Sequence, residues 1–303
     1  MTTREEFTAA ARECGVSDAS LALILKHLRP AYGLGAGDSP EVGHLGGYPE
    51  LPVGMTYDGR RVFVASIDLA ALPEHDLDTG LPREGRLLLF TDTWDSLTQL
   101  DWPDGPPSPP FALYIPPGTE TVAWDPSAAG EFFDEEYVLE RRPLGAETIW
   151  DMDYDMDVAD FHRAPADMDP EERERYDEAV ALQEAAEEFR SLAGHVSCLN
   201  LGGWGELKLG GVAHPQQEEV ETEVANRVGR RKKRRAEYGK APHPDEYEAG
   251  PDTGEEQEAA WKPLAEAGQA DLFDEGDGSL YWMVPRADLA VPWFDRTELV
   301  YQC

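Results

Sequence analysis

The chain has 303 residues, 41% of them apolar, and a formal net charge of −35 from 61 acidic against 26 basic side chains. A surface this acidic repels phosphate backbones and anionic bilayers, so neither nucleic acid nor membrane is an expected partner. It attracts cations or a basic protein, chiefly by raising the association rate, and it serves plain solubility or adaptation to salt equally well.

Eight Trp, eleven Tyr and ten Phe supply the apolar surface that sets this composition apart from acidic disordered chains. Cys14, Cys198 and Cys303 are odd in number and widely spaced, with no CxxC, which fits a reducing compartment. The opening MTTREEFTAAARE lacks the basic-then-apolar order of a secretion signal. No apolar run nears the roughly 20 residues of a spanning helix, so a cytoplasmic location is expected.

In chain order, Thr3 and Glu6 form a capping box before a helix with Phe7, Ala10, Ala11 and Cys14 on one face. Ser17 or Asp18 caps a second helix, with Leu21, Ile24, Leu25 and Leu28 as its stripe and Pro30 past its end. The pair is expected to pack as a hairpin on a sheet. After the Gly-rich stretch 33–38, the segments 61–69, 86–91, 111–115 and 121–124 read as strands, with a further one at 137–140. Residues 102–110 are too proline-rich for anything but a surface loop.

Asp151, Asp153, Asp155 and Asp157 alternate and read as a solvated acidic loop. As an EF-hand loop they would need Gly and Glu where Met156 and His162 stand. Asp169 and Pro170 start a helix to about Ala193, presenting Tyr176, Val180, Phe189 and Leu192. A polar stretch over about 218–258, with the basic run Arg230 to Arg235, reads as a solvated loop, helical in part. Strands close the chain at 279–284 and 297–303.

Two halves of the chain echo each other. His44-Leu45-Gly46-Gly47 matches Lys208-Leu209-Gly210-Gly211, Ile67-Asp68-Leu69 matches Ala270-Asp271-Leu272, and Gly85 to Phe90 matches Gly278 to Met283. Gly47 and Asp68 are 21 positions apart and Gly211 and Asp271 are 60, so the second copy carries 39 extra residues, which hold the basic run and belong on a surface loop. The expected organisation is residues 1–150 as helices plus the first half, 151–195 as an acidic connector, and 196–303 as the second half, all in one compact unit. The fold class is α+β, with duplicated half-domains forming a large, mainly antiparallel sheet.

The order of the Gly46-Gly47-Tyr48-Pro49 loop, the Asp68-Leu69 step and the Gly85 strand resembles the YwqG-like family of bacterial proteins. So do Trp261, Gly278 to Trp282, Asp288-Leu289-Ala290 and the closing Val300 to Cys303. The chain departs from the family's pattern where Val212-Ala213-His214 precede Pro215 and where Asp274-Glu275-Gly276 stand in place of Trp-Gly. The resemblance implies an extensive antiparallel sheet and no established activity.

The seven histidines form no HExxH or zinc spacing, and no GxSxG is present, so no metal, cofactor or catalytic set is expected. His195 with Cys198 is a nucleophile-base pair on paper only, a buried inert thiol being the commoner case. The glycine pairs are the better candidates. Gly46-Gly47 and Gly210-Gly211 either leave backbone N–H groups open as anion-binding nests, with His44 and Lys208 before them and His214, Gln217, Asp68 and Asp271 near, or merely turn the chain into its next strand.

Two functions follow. One is a non-catalytic protein that captures a basic partner, for example a toxin domain, using surface aromatics such as Trp94, Trp102 and Trp150. The other is a small-molecule or anion-binding enzyme built on the glycine loops, with His44, His214 and Asp68 as its working groups.

Overall fold

The computed structural model describes residues 3–37, 39–73, 80–93, 110–129, 133–152, 164–193, 205–217, 219–237, 260–273, 277–289 and 294–303. Its elements in chain order are α1 (Arg4–Glu13), α2 (Asp18–His27), β1 (Arg29–Gly35), β2 (Glu41–Leu45), β3 (Glu50–Pro52), β4 (Val62–Asp68), β5 (Arg86–Thr91), β6 (Ala112–Ile115), β7 (Thr121–Ala123), β8 (Arg142–Asp151) and α3 (Pro170–Ala193). There follow β9 (Leu207–Gly210), α4 (Val220–Glu237), β10 (Trp261–Gly268), α5 (Gln269–Phe273), β11 (Ser279–Pro285), α6 (Arg286–Leu289) and β12 (Glu298–Gln302).

Ten strands form one antiparallel sheet in the order β12-β11-β10-β9-β1-β8-β2-β4-β5-β6, and β3 pairs with β7 in a separate ribbon. The α+β expectation holds. Two four-stranded meanders, β2-β4-β5-β6 and β9-β10-β11-β12, flank a central pair, β1 and β8. Each central strand leads into one meander in sequence but bonds to the other: β1 to β9, and β8 to β2. Close packing pins the centre, where Gly35 pairs with Gly145. A Cβ on Gly145 would lie 2.8 Å from the Ser39 carbonyl oxygen, and one on Gly35 3.3 Å from the Gly205 Cα.

The runs Leu87 to Phe90 and Leu280 to Val284 are apolar throughout because both faces of their strands are covered. Leu87, Leu89, Leu280 and Trp282 join the main core, which gathers residues from both ends of the sheet, and Trp282 Nε1 donates to the Phe90 carbonyl at 2.7 Å. The sheet is therefore curled on itself. On its outer face, Leu88, Phe90, Phe63 and Leu51 form a cluster under the β3-β7 ribbon. Tyr281, Met283 and Val300 form another under α4.

The capping box is present, with Thr3 Oγ1 accepting from the Glu6 N–H at 3.1 Å and Glu6 Oε2 from the Thr3 N–H at 2.7 Å. Helices α1, α2 and α3 share a cluster with Trp150 and Met152, in which Phe7 stacks on Phe189 at 5.5 Å. Trp150, expected at the surface, is thus core. The buried stripe of α3 is Ala179, Leu182, Ala186, Phe189 and Ala193, and Leu192 faces solvent.

Three expectations need correction. The segment expected as a strand at 137–140 starts on the last residue of a single 3-10 turn at Glu135–Tyr137 and is not a strand; the next strand is β8. The Gly-rich stretch begins inside β1, whose Leu34 is fully buried. The start of the polar insertion is a docked helix, because Val220, Val224 and Val228 recur at helical spacing and pack on the sheet. Trp94, Trp102, Asp153, Asp155, Asp157 and all of 238–258 lie outside the described residues.

Arg61 and Asp92 are buried together, 3.6 Å apart, with the guanidinium carbon 3.5 Å over the Phe111 ring. Burial pushes the Asp92 carboxyl up to about 7 against the pull of Arg61, and Asp92 Oδ2 has no hydrogen-bond partner among the described residues. A carboxyl whose folded pKa is raised disfavours the native state as pH climbs from its unfolded value of 3.8 through about 7. The expected outcome for Asp92→Asn is a urea midpoint that varies less with pH across this window than the parent's; identical pH profiles would count against it.

Candidate functional site

Lys208 sits mid-strand in β9 between Leu207 and Leu209, which face the core, so its side chain points to the outer face. There it is fully buried, as is Asp151, and Glu266 is 1% exposed. The ammonium has three hydrogens to donate, and they meet Asp151 Oδ2 at 2.9 Å, Glu266 Oε2 at 2.9 Å and the Val212 carbonyl. Asp151 also accepts from the Val212 N–H at 2.9 Å, the Met152 N–H at 3.1 Å and His214 Nε2 at 2.7 Å. The His214 N–H reaches Glu266 at 3.3 Å, and the Tyr281 hydroxyl donates to the His214 carbonyl.

Burial works to raise the Asp151 carboxyl, but the His214 hydrogen bond and the Lys208 charge outweigh it and hold the group below its usual range. Burial raises Glu266, against the pull of Lys208. The second glycine turn owes its composition to this cluster. Gly211 lies at φ +77°, and a Cβ there would fall 2.2 Å from Asp151 Oδ2. The anion expected at this turn is the chain's own carboxylate. Asp151, read from sequence as the start of a solvated loop, instead ends β8 inside the protein.

The first glycine turn is saturated by backbone. The Gly46 N–H donates to Val64 O at 2.7 Å and the Gly47 N–H to Leu139 O at 2.9 Å, so neither is open as a nest. A Cβ on Gly46 would meet the Glu140 carbonyl at 2.3 Å. His44 Nδ1 lies 3.0 Å from Gly46 O and Nε2 lies 3.0 Å from Arg141 Nη1. A carbonyl accepts and a guanidinium donates, so the ring is neutral, with its proton on Nδ1. Burial and the Arg141 charge both lower its pKa.

The two turns do not meet. Leu45, just before Gly46, pairs with Arg142 at one end of β8, and Gly211 abuts Asp151 at the other. Nine residue steps of strand separate these ends, about 30 Å at ~3.3 Å per step. Nor do Asp68 and Asp271 occupy matched places. Strand register pairs His44 with Ser66 and Lys208 with Glu266, so the counterpart of Asp68 is Gly268. Asp68 accepts from the Ala70 N–H at 3.0 Å as a turn acceptor, and Asp271 lies in α5 with its carboxylate over Gly268. Gln217 belongs to a clamp on the C-terminus, bonding Gln302 and Cys303. Cys198 and His195 lie outside the described residues.

Beside Gly47 the outer face carries a cleft that the sequence reading missed. Tyr48, Tyr57, Trp124, Phe133 and Tyr137 line it with Asp134, and Arg61 lies in its floor. Trp124 is the hub, with ring centroids at 4.7 Å to Tyr57, 5.2 Å to Phe133 and 5.6 Å to Tyr48, inclined by 54 to 70°. Its Nε1 donates to the Tyr57 carbonyl at 2.9 Å, which fixes the indole. The enclosed space, about 20 Å³, suits about one water molecule and no metabolite. The clue in the sequence was the Tyr-Pro after the first glycine pair, which the second pair lacks.

Lys208→Met strands two buried carboxylates without their cation and is expected to cost about 3–5 kcal/mol of stability by denaturant titration. Gly211→Ala is expected to cost clearly more than Gly118→Ala: both positions have positive φ, but a Cβ on Gly118 meets nothing within 4 Å. Equal losses in the two alanine variants would mean that Asp151 does not dictate the turn.

No curated protein matches the chain significantly. A family profile does, over residues 43–303. That span leaves out α1, α2 and β1, although β1 is the strand to which both β8 and β9 bond. The matched span nevertheless takes in both meanders and most of the sequence, and the chain belongs to the family described as Domain of unknown function (DUF1963).

Proposed function

We propose that this protein is a non-catalytic binding protein, YwqG-like in kind, that captures a basic protein partner in the cytoplasm, as an immunity protein captures a toxin domain. The supporting observation is the chemistry around the β3-β7 ribbon. Tyr48, Val53, Met55 and Val122 are its exposed apolar residues, Val53 and Val122 being 61% and 56% accessible. Around them Glu120, Asp125, Asp134, Glu135, Glu136 and Glu140 are exposed. Apolar anchors within a charged rim are the make-up of protein interfaces, and a net charge of −35 selects a cationic counterpart.

The ionisable groups of the second glycine turn support the same reading from the other side. Lys208, Asp151 and Glu266 satisfy one another inside the protein, which suits a scaffold better than a site that must bind and release. The correspondence of the two meanders supports duplication of a half-domain, with the first strand of each copy exchanged into the other.

Affinity capture from lysate of the source cells at about 50 mM and about 500 mM salt tests the reading. A basic protein is expected at the lower salt, weakened at the higher one and lost when Asp134, Glu135 and Glu136 are changed together to Asn, Gln and Gln. Recovery of no basic protein at low salt would remove the support.

A further inference from the structure

We infer that the partner docks by strand addition: an extended, basic segment of it lies along the free edge of β7 as a third strand of the β3-β7 ribbon. The inference rests on the basic-partner reading and supplies its mode of binding. Which edge is open follows from the register. Glu50 pairs with Ala123, Leu51 with Val122 and Pro52 with Thr121. The flanking bonds run from the Val53 N–H to Glu120 O at 3.1 Å and from the Trp124 N–H to Pro49 O at 2.9 Å. Antiparallel pairs alternate between bonded and non-bonded, so Leu51 and Val122 bond each other's backbone, while Glu50, Pro52, Thr121 and Ala123 turn theirs outwards. On the β3 side Pro52 has no N–H to offer. On the β7 side Thr121 and Ala123 present two N–H and two C=O groups, and among the described residues none of these has a partner.

The side chains are incomplete on the same edge. Leu51 and Val122 stand opposite one another on one face of the ribbon, but Leu51 is 2% exposed and Val122 56%. The apolar face of the ribbon thus continues past what the protein covers, and an added strand brings its own side chains alongside Val122. Exposed Glu120 and Asp125 bracket the edge, so the strand that fits it carries Lys or Arg. The same charge disfavours the edge of a second copy as the occupant. Antiparallel pairing about Val122 would bring together two sets of Glu120 and Asp125, each on a chain of net charge −35.

The test is fluorescence anisotropy of the labelled peptide Lys-Thr-Lys-Val-Lys-Thr-Lys with the full chain at about 20 mM salt. The parent protein is expected to bind it and not the same peptide with Glu for Lys. N-methylation of the central Lys-Val-Lys blocks pairing on both peptide edges and keeps every side chain and charge; it is expected to weaken binding about tenfold. Ala123→Pro removes one outward N–H and none of the ribbon's own bonds, and is expected to weaken binding by a similar factor. Glu184→Gln with Glu187→Gln, on the exposed face of α3, is expected to change binding less than about twofold. Should Ala123→Pro lose its fold by circular dichroism, the N-methylated peptide decides with the parent protein alone.

Equal affinity for the plain and N-methylated peptides, or unchanged affinity in a folded Ala123→Pro variant, overturns strand addition and leaves the basic-partner reading standing. Dimerisation of the parent protein in analytical ultracentrifugation, lost in Ala123→Pro, assigns the edge to a second copy instead. Absence of binding by the plain peptide at this salt also overturns strand addition, while capture from lysate decides the basic-partner reading separately.

Discussion

The pairing of β1 with β8 holds the molecule together. Seven residue pairs, from Arg29 with Asp151 to Gly35 with Gly145, join two meanders that, among the described residues, make no other main-chain ladder with each other. Because each central strand feeds one meander and bonds to the other, neither half can complete its sheet alone. The long apolar strands of both ends then cover each other across the curl, and the indole of Trp282 reaches the carbonyl of Phe90. The glycines at the crossing are a consequence of this geometry: backbone passes backbone where side chains would stand.

From this frame follows the contrast between the two glycine turns. Both sit on the outer face, at opposite ends of β8, but they are stabilised differently. At the second, a carboxylate from β8 enters the turn and brings Lys208, Glu266 and His214 with it into a sealed ionic network. Such a network adds little net stability over an apolar core, yet it is costly to break, so it fixes where β8, β9 and β10 lie relative to one another. At the first turn backbone carbonyls take the N–H groups, and the space above is left to aromatic rings and exposed acids. One end of the strand is locked and the other presents a surface.

The candidate site was only partly legible for the same reason. His44, Lys208 and the glycine pairs were found because they recur in order along the chain. That order does not place them together, because recurrence carries no information about the 30 Å or so of strand between them. Asp151 was misread because alternating aspartates look solvated until one of them falls on the inward end of a strand. Trp124 and Phe133 drew no attention because the residues that make them a box, Tyr48 and Tyr57, come from a distant stretch.

Local chemistry sufficed for what is short-range. The capping box at Thr3, the Pro170 start of α3, the short apolar strands and the α+β class all follow from side-chain propensity and spacing, interactions within a few residues. The total charge needs no fold at all. Tertiary structure alone decided which strands exchange, which carboxylate fills the glycine turn and which aromatics meet. Each of those depends on contacts between residues tens to hundreds of positions apart, and a linear pattern does not encode which of the many compatible partners the packed sheet will bring together.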